Sequence, residues 1–177
     1  MVYLIRHAHA GNKHQWPGHD GDRPLSEPGH QEAHGLLARL RDYPITRIMA
    51  SPALRCQQTV EPLSQRRAVP IELVDALSVD APPVRLLQLV TDPGLHQAVL
   101  CGHGEQIGLL LGQLADGGLP IEPRCWPKGS TWVLDTNDGQ VTGARYLAPL
   151  AADGPRRLLC AEAPADLAGP SPRWRDS

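Results

Sequence analysis

The sequence lacks any long apolar run. Its first apolar stretch, residues 2–5, is far shorter than the hydrophobic segment of a signal peptide or of a membrane-spanning helix, and no longer one follows. We therefore expect neither a targeting segment nor a membrane span. On this basis the sequence predicts a cytoplasmic protein.

An excess of charge of one sign is also missing. The 17 basic residues nearly balance the 19 acidic ones, and the formal net charge is −2. This balance argues against a general electrostatic attraction to nucleic acid or to an anionic membrane surface, so neither is an expected partner. A local basic pocket for a small anion remains compatible with the composition.

Closely spaced cysteines are absent as well. The four cysteines, Cys56, Cys101, Cys125 and Cys160, are scattered and form no CxxC pair. This spacing is typical of reduced cysteines that pack in a core, and it predicts neither a disulfide framework nor a zinc site. Cys101 lies two residues before His103, which makes redox sensitivity of that position a hypothesis.

Predicted strands and helices alternate along most of the chain. Two of the predicted strands flank the turn Asn137-Asp138-Gly139, a strong hairpin signal. Together the elements predict an α/β fold, a three-layer α/β/α sandwich with a mostly parallel central sheet and an antiparallel edge hairpin. The predicted strands are residues 2–5, 45–49, 71–74, 97–101, 131–134 and 141–146, and the predicted helices begin near residues 26, 51, 83 and 106.

The length of 177 residues predicts one main domain, residues 1–150. Residues 151–177 are rich in Pro, Ala and Gly, which predicts a loosely packed or disordered C-terminal tail. Pro62 lies inside the second predicted helix and is expected to kink or shorten it.

Cations and imidazoles follow three of the predicted strands. Arg6-His7 ends the first strand, Ser51-Pro52 and then Arg55 follow the second, and Gly102-His103 follows the strand at residues 97–101. If these strands are parallel neighbours, two arginines and two histidines meet at the carboxyl edge of the sheet, where α/β folds bind ligands. Arginine suits phosphate oxygens, and an imidazole can act as a nucleophile. A polar loop at residues 7–25 has the length typical of functional loops.

These motifs resemble those of the histidine phosphatase superfamily, also called phosphoglycerate-mutase-like. The resemblance is carried by Arg6-His7, by SPALRCQQT at residues 51–59 and by CGHGE at residues 101–105. The stretch DRPLSEPGHQEA, residues 22–33, is similar to the SixA-like phosphohistidine phosphatases. RCQQTVEPL and KGSTWVLDTNDGQV resemble still more closely the phosphatase domain that some bacteria fuse to a Nudix hydrolase. The likeness covers roughly residues 1–148, and because no Nudix segment precedes Met1 the domain is expected to stand alone.

The resemblance implies roles for four residues. His7 would be the nucleophile that becomes phosphohistidine, while Arg6, Arg55 and His103 would bind the phosphoryl group and stabilise its developing charge. The family needs no metal or other cofactor, because cationic side chains supply the charge that a metal would supply. The family usually has glycine after the Arg-His pair, whereas this chain has Ala8.

The sequence gives weaker signals for the other candidate site residues. Asn12 and Lys13 follow the nucleophile in the loop and are candidates to contact the phosphate or the leaving group. The carboxyl group that protonates the leaving group in many family members has no clear position here. Glu105 is the first candidate, followed by Asp75 and Asp80.

Three functions are compatible with these residues. The leading hypothesis is a metal-independent phosphatase, a phosphoric monoester hydrolase, whose substrate is either phosphohistidine in a carrier protein or a small phosphoester or nucleotide. A non-enzymatic phosphate-binding module is the first alternative. A metallohydrolase that uses His7 and His9 as ligands is the second, although Arg6 and Arg55 would repel a cation.

Overall fold

A computed structural model of the protein describes residues 1–150. The predicted tail at residues 151–177 lies outside the described residues. Six strands and four α-helices alternate along the described chain. The strands are β1 (Val2–Arg6), β2 (Arg47–Ala50), β3 (Ile71–Leu73), β4 (Ala98–Gly102), β5 (Thr131–Asn137) and β6 (Gln140–Leu147), and the helices are α1 (Glu27–Arg39), α2 (Leu54–Arg67), α3 (Pro83–Thr91) and α4 (Gly104–Asp116).

The strands form one sheet in the order β3-β2-β4-β1-β5-β6. Strands β3, β2, β4 and β1 are parallel, and the hairpin β5–β6 adds antiparallel strands at one edge. The hairpin turns at Asp138 and Gly139, whose φ angles of 49° and 73° lie in the left-handed region that two-residue hairpin turns need. The predicted α/β class, with a mostly parallel sheet and an edge hairpin, is confirmed.

Helices cover both faces of the sheet. Side chains alternate along β1, so Val2 and Leu4 belong to the apolar cluster under α3 and α4, while Tyr3 and Ile5 belong to the cluster under α1 and α2. All four of these side chains are fully buried. Burial on both faces explains why β1 is a continuous apolar run in the sequence rather than an alternating one.

The helix start at residue 26 follows from capping. The Ser26 hydroxyl accepts a hydrogen bond from the Gly29 backbone N–H, and Pro28 occupies the first turn, where its missing N–H is not needed. The α1 helix then buries Ala33 and Leu36. This end of the helix anchors the long loop at residues 7–25, because the Ser26 N–H also donates to the His9 carbonyl.

Two expectations need correction. Helix α2 runs past Pro62 to Arg67, so the proline does not shorten it; Val60 and Leu63 are buried beside it, and their packing outweighs one missing backbone bond. Cys56 and Cys101 are buried free thiols, but Cys125 is disulfide-bonded, so the expectation of reduced cysteines is wrong there. Spacing along a chain does not show which side chains the fold brings together.

Within residues 1–150, the structure contains no helix with the length and apolar character needed to cross a membrane.

Candidate active site

The carboxyl ends of β2, β4 and β1 lie side by side, as the strand order requires. Backbone hydrogen bonds continue past the strands, from the His7 N–H to the Gly102 carbonyl and from the Ser51 N–H to the Cys101 carbonyl, each 3.0 Å. A pocket of about 430 Å³ opens at this edge. We call it the phosphoryl pocket; its lining includes Arg6, His7, Asn12, Lys13, Arg55, His103 and Glu105, together with Asp20, Arg23 and Lys128.

The His7 ring is held in one tautomer. Its Nδ1 lies 2.8 Å from the Ala8 carbonyl oxygen. Because a carbonyl only accepts, Nδ1 carries the proton and Nε2 keeps a free lone pair. Burial is the largest cause that lowers the pKa of His7, and the charges of His103, Arg55 and Arg6 act in the same direction. Against the opposing effect of the Ala8 hydrogen bond, the resulting pKa is about 3. At neutral pH the ring is therefore uncharged and nucleophilic at Nε2.

Ala8 fits its position although the family usually has glycine there. Its φ is not in the left-handed region, so a Cβ causes no backbone strain. The residue is fully buried, and its N–H donates to the Thr59 hydroxyl oxygen at 2.9 Å. Thr59 in turn donates to the Arg55 carbonyl at 2.6 Å. These bonds tie the segment after β1 to the helix that carries Arg55.

Arg55 is nearly fully buried at the start of α2 and is oriented by Asp20. Its Nη1 donates to the Asp20 carbonyl at 2.6 Å and its Nη2 to the Asp20 carboxylate at 3.0 Å. Arg23 donates to the other carboxylate oxygen at 2.8 Å. Partial burial acts to raise the pKa of Asp20, but the Arg23 hydrogen bond and the charge of Arg55 lower it overall. Asp20 is therefore an ionised carboxylate that joins the two arginines across the pocket.

His103 is also held in one tautomer. Its Nδ1 lies 3.4 Å from Nη2 of Arg55, which can only donate, and its Nε2 lies 3.0 Å from the Ser51 hydroxyl. Nδ1 is thus the acceptor, and Nε2–H donates to Ser51. The His7 and His103 ring centroids are 5.4 Å apart. With this tautomer, His103 lies beside His7 in the pocket and is oriented by Arg55 and Ser51.

Arg6 lies against the first turn of α4. Its Nη1 donates to the Trp126 carbonyl at 2.9 Å. A Cβ on Gly104 would lie 2.6 Å from the Arg6 Cζ and Nε atoms, so only glycine allows the guanidinium this close to the helix. Within the described chain, the buried Nε atoms of Arg6 and Arg55 have no hydrogen-bond acceptor. Buried donors of this kind in a pocket lined by cations are suited to binding an anion.

Comparison with known proteins agrees with this geometry. A family model described as the histidine phosphatase superfamily (branch 1) matches residues 2–78. The solved structure of the SixA protein of Agrobacterium tumefaciens, named as a phosphohistidine phosphatase, is 30% identical with a TM-score of 0.66, and the similarity covers 84% of this chain and 97% of that one. The chain belongs to the histidine phosphatase superfamily.

Two further proteins are similar to this chain, one in its fold and the other in its sequence. The SixA structure from Nakamurella multipartitia has a TM-score of 0.67 over 85% of this chain and 96% of that one, but its 22% identity supports the fold alone. The 8-oxo-(d)GTP phosphatase of Mycolicibacterium smegmatis is 35% identical over 156 residues, which is 84% of this chain and 48% of that protein. The chain thus spans about half the length of this curated relative.

Of the three residues predicted as candidates for the proton-donating carboxyl group, the structure places one in the phosphoryl pocket. Glu105 lines the phosphoryl pocket, whereas Asp75 and Asp80 do not. His9 does not line it either; its Nδ1 lies 2.6 Å from the Ser26 hydroxyl at the start of α1. Within residues 1–150, no group of three or more His, Cys, Asp or Glu side chains could hold a metal ion.

Sequence reasoning missed four residues that shape this superfamily site. Ser51 fixes the His103 tautomer, and Thr59 joins the His7 segment to α2. Lys128 and Arg23 add positive charge at the rim. Burial and the neighbouring charges of Arg6 and Arg23 lower the pKa of Lys128. The motifs SPALRCQQT and KGSTWVLDTNDGQV contained three of these residues, but only the fold shows what they contact.

Replacing Gly104 by alanine should reduce activity without unfolding the protein. The new Cβ would push the Arg6 guanidinium away from α4, and a displacement of about 1 Å in such a group lowers kcat/KM roughly 10- to 100-fold. Gly112→Ala on the same helix is the matched control, because its Cβ would meet nothing within 4 Å. Steady-state kinetics with an aryl phosphate and thermal melts compare the two. Equal kinetics for both variants would contradict the role given to Arg6.

The buried neutral His7 should make stability depend on pH. Its pKa is about 3 in the folded protein and near the ordinary 6.5 in the unfolded chain, so the unfolded chain binds more protons between these values. Stability is therefore lost as pH falls below 6.5. From about pH 6 to about pH 4, the free energy of unfolding of the wild type should fall roughly 1 kcal/mol per pH unit more than that of His7→Asn. Urea titrations measure this, and parallel curves would refute it.

Proposed function

We propose that this chain is a phosphatase that transfers a phosphoryl group to His7 and then to water. The observation that carries the proposal is a neutral imidazole, fixed with Nε2 free, in a pocket lined by Arg6, Arg55 and Lys128. A free lone pair beside converging cations suits attack on an anionic phosphorus centre. The membership in the histidine phosphatase superfamily supports this activity.

In the first step, His7 Nε2 attacks phosphorus in line. The P–N bond forms while the bond from phosphorus to the leaving group breaks, and the electron pair of that bond stays on the leaving atom. Arg6 and Arg55 would stabilise the charge on the phosphoryl oxygens, with His103 beside them in the pocket. Glu105, the candidate carboxyl group that lines the pocket, would supply the proton of the leaving group.

In the second step, water attacks phosphorus and the P–N bond breaks. The electron pair returns to Nε2, inorganic phosphate leaves, and Glu105 would accept the proton of the attacking water. Neither step needs a metal ion, because arginines surround the phosphoryl group where a cation would otherwise be needed. The substrate is a phosphomonoester, a nucleotide or protein phosphohistidine. The SixA and 8-oxo-(d)GTP phosphatase relatives support these classes.

The decisive experiment traps the intermediate. Purified protein is mixed with an aryl phosphate in the presence of a chelator, quenched in alkali, in which phosphohistidine survives, and weighed intact. A mass gain of one phosphoryl group with release of the phenol supports the proposal. Absence of both adduct and product would favour a phosphate-binding module. Turnover that appears only after metal is added would instead favour a metallohydrolase.

A further inference from the structure

A second cavity of about 250 Å³ opens beside the phosphoryl pocket. Its walls are largely apolar and include Ala10, Trp16, Pro24 and Leu25, so we call it the Trp16 groove. The phosphoryl pocket, in contrast, is lined mainly by charged and polar side chains. An apolar cavity with an indole on its wall is suited to a flat, uncharged ring rather than to a second anion.

The Trp16 ring is held in place on that wall. Its indole N–H donates to the His19 carbonyl at 3.0 Å. The ring also packs against Gly18, where a Cβ would lie 3.1 Å from the indole nitrogen. An aromatic ring that is fixed before the ligand arrives loses little conformational entropy when it stacks on a bound ring.

The groove is also fixed relative to the catalytic residues. Asp20 belongs to the same loop as Trp16, and its carboxylate binds Arg55 of α2 at 3.0 Å and Arg23 of the loop at 2.8 Å. Arg23 donates in addition to the Ala10 carbonyl at 2.6 Å. These bonds join the walls of the groove to the helix that holds a phosphoryl-binding arginine.

The two cavities are neighbours that share part of their lining. Gly11, Asn12 and Arg23 line both of them. Gly11 has a φ of 64°, and nothing lies within 4 Å of the position that a Cβ would take, so no atom obstructs the space on that side of the residue. A substrate whose phosphoryl group lies at His7 can therefore extend its leaving group past Gly11 into the groove.

We infer that the Trp16 groove binds the flat aromatic ring of the leaving group, and that this chain acts on nucleotides, with the phosphoryl group at His7 and the base against Trp16. The inference rests on the proposed function, because it names the substrate class of the same site. The two volumes together lie within the range usual for small-molecule sites, about 300–1,000 Å³.

The test compares a purine nucleoside 5′-monophosphate with ribose 5-phosphate, which lacks only the base. The wild type should show a kcat/KM about tenfold or more higher for the nucleotide. Trp16→Ala should remove most of that preference while changing ribose 5-phosphate turnover by less than about twofold, and Trp16→Phe should retain much of it. Leu73→Ala, at an apolar position that is 55% exposed on β3, is the matched control and should keep the preference.

Two outcomes would overturn the inference. One is a wild type that treats both substrates alike, and the other is a Trp16→Ala variant that loses both activities equally, which would indicate a merely structural tryptophan. If the aryl phosphate assay gives neither adduct nor turnover, the proposed function fails by itself. Calorimetric titration with the nucleotide then tests separately whether the groove binds the base. Weaker nucleotide binding by Trp16→Ala than by the wild type supports the site, and equal binding refutes it.

Discussion

Replacing His7 by alanine is expected to abolish both the trapped phosphoryl adduct and turnover. The variant removes the nitrogen that attacks phosphorus in the proposed mechanism, while both ring nitrogens of His103, the other imidazole of the pocket, contact Ser51 and Arg55. We expect kcat to fall about 10⁴-fold or more, as is usual when a covalent nucleophile is lost. Intact-mass measurement after an alkaline quench, together with steady-state kinetics on an aryl phosphate, measures both effects.

His9→Ala is the matched control for this result. It removes an imidazole two residues away that binds Ser26 and does not line the phosphoryl pocket. This variant should keep the adduct and retain kcat within a few-fold of the wild type, about threefold at most. Loss of activity in both variants would contradict the proposal that His7 is the single nucleophile. It would instead favour the metallohydrolase, in which both His7 and His9 are needed.

The second large effect is expected from Arg55→Ala. Arg55 is 3% exposed and contacts His103 and Asp20, so its removal takes a positive charge from the phosphoryl pocket and leaves His103 without a partner at Nδ1. Removing one such transition-state donor typically costs about 10²- to 10³-fold in kcat, and we expect a loss of this order. The rate of adduct formation in a rapid quench measures the phosphoryl transfer step directly.

Two further variants sharpen this prediction. Arg66→Ala removes an exposed arginine from the far end of the same helix and should leave the kinetics unchanged. Arg55→Lys keeps the charge but lacks the planar fork that reaches both Asp20 and His103, so it should recover only part of the rate. Full activity in Arg55→Lys would show that charge alone matters, and full activity in Arg55→Ala would remove Arg55 from the mechanism.

The candidate site could be predicted from the sequence because its residues follow strand ends. Arg6-His7 and Gly102-His103 directly follow apolar runs, and both runs form parallel strands that are neighbours in the sheet. Parallel strands carry their carboxyl ends to one edge, so residues that follow such strands meet there. All seven predicted site residues line the same pocket, while their chemical roles remain proposals.

Contacts that span the fold could not be predicted in this way. Nothing in the spacing of Asp20, Arg23 and Arg55 indicates that one carboxylate joins both arginines. The disulfide at Cys125 and the course of α2 past Pro62 were not predicted either. The Arg55–Asp20 pair joins residues 35 positions apart that become adjacent only after packing.

The sequence by itself determined the class of fold, the superfamily and the edge of the sheet that holds the candidate site, because apolar periodicity and strand-end motifs are local properties of the chain. Only the tertiary structure decided the tautomer of His7, the partners of His103 and the position of the Trp16 groove beside the pocket. These features arise from hydrogen bonds and burial between separate elements. Those contacts also determine which atom is free to react.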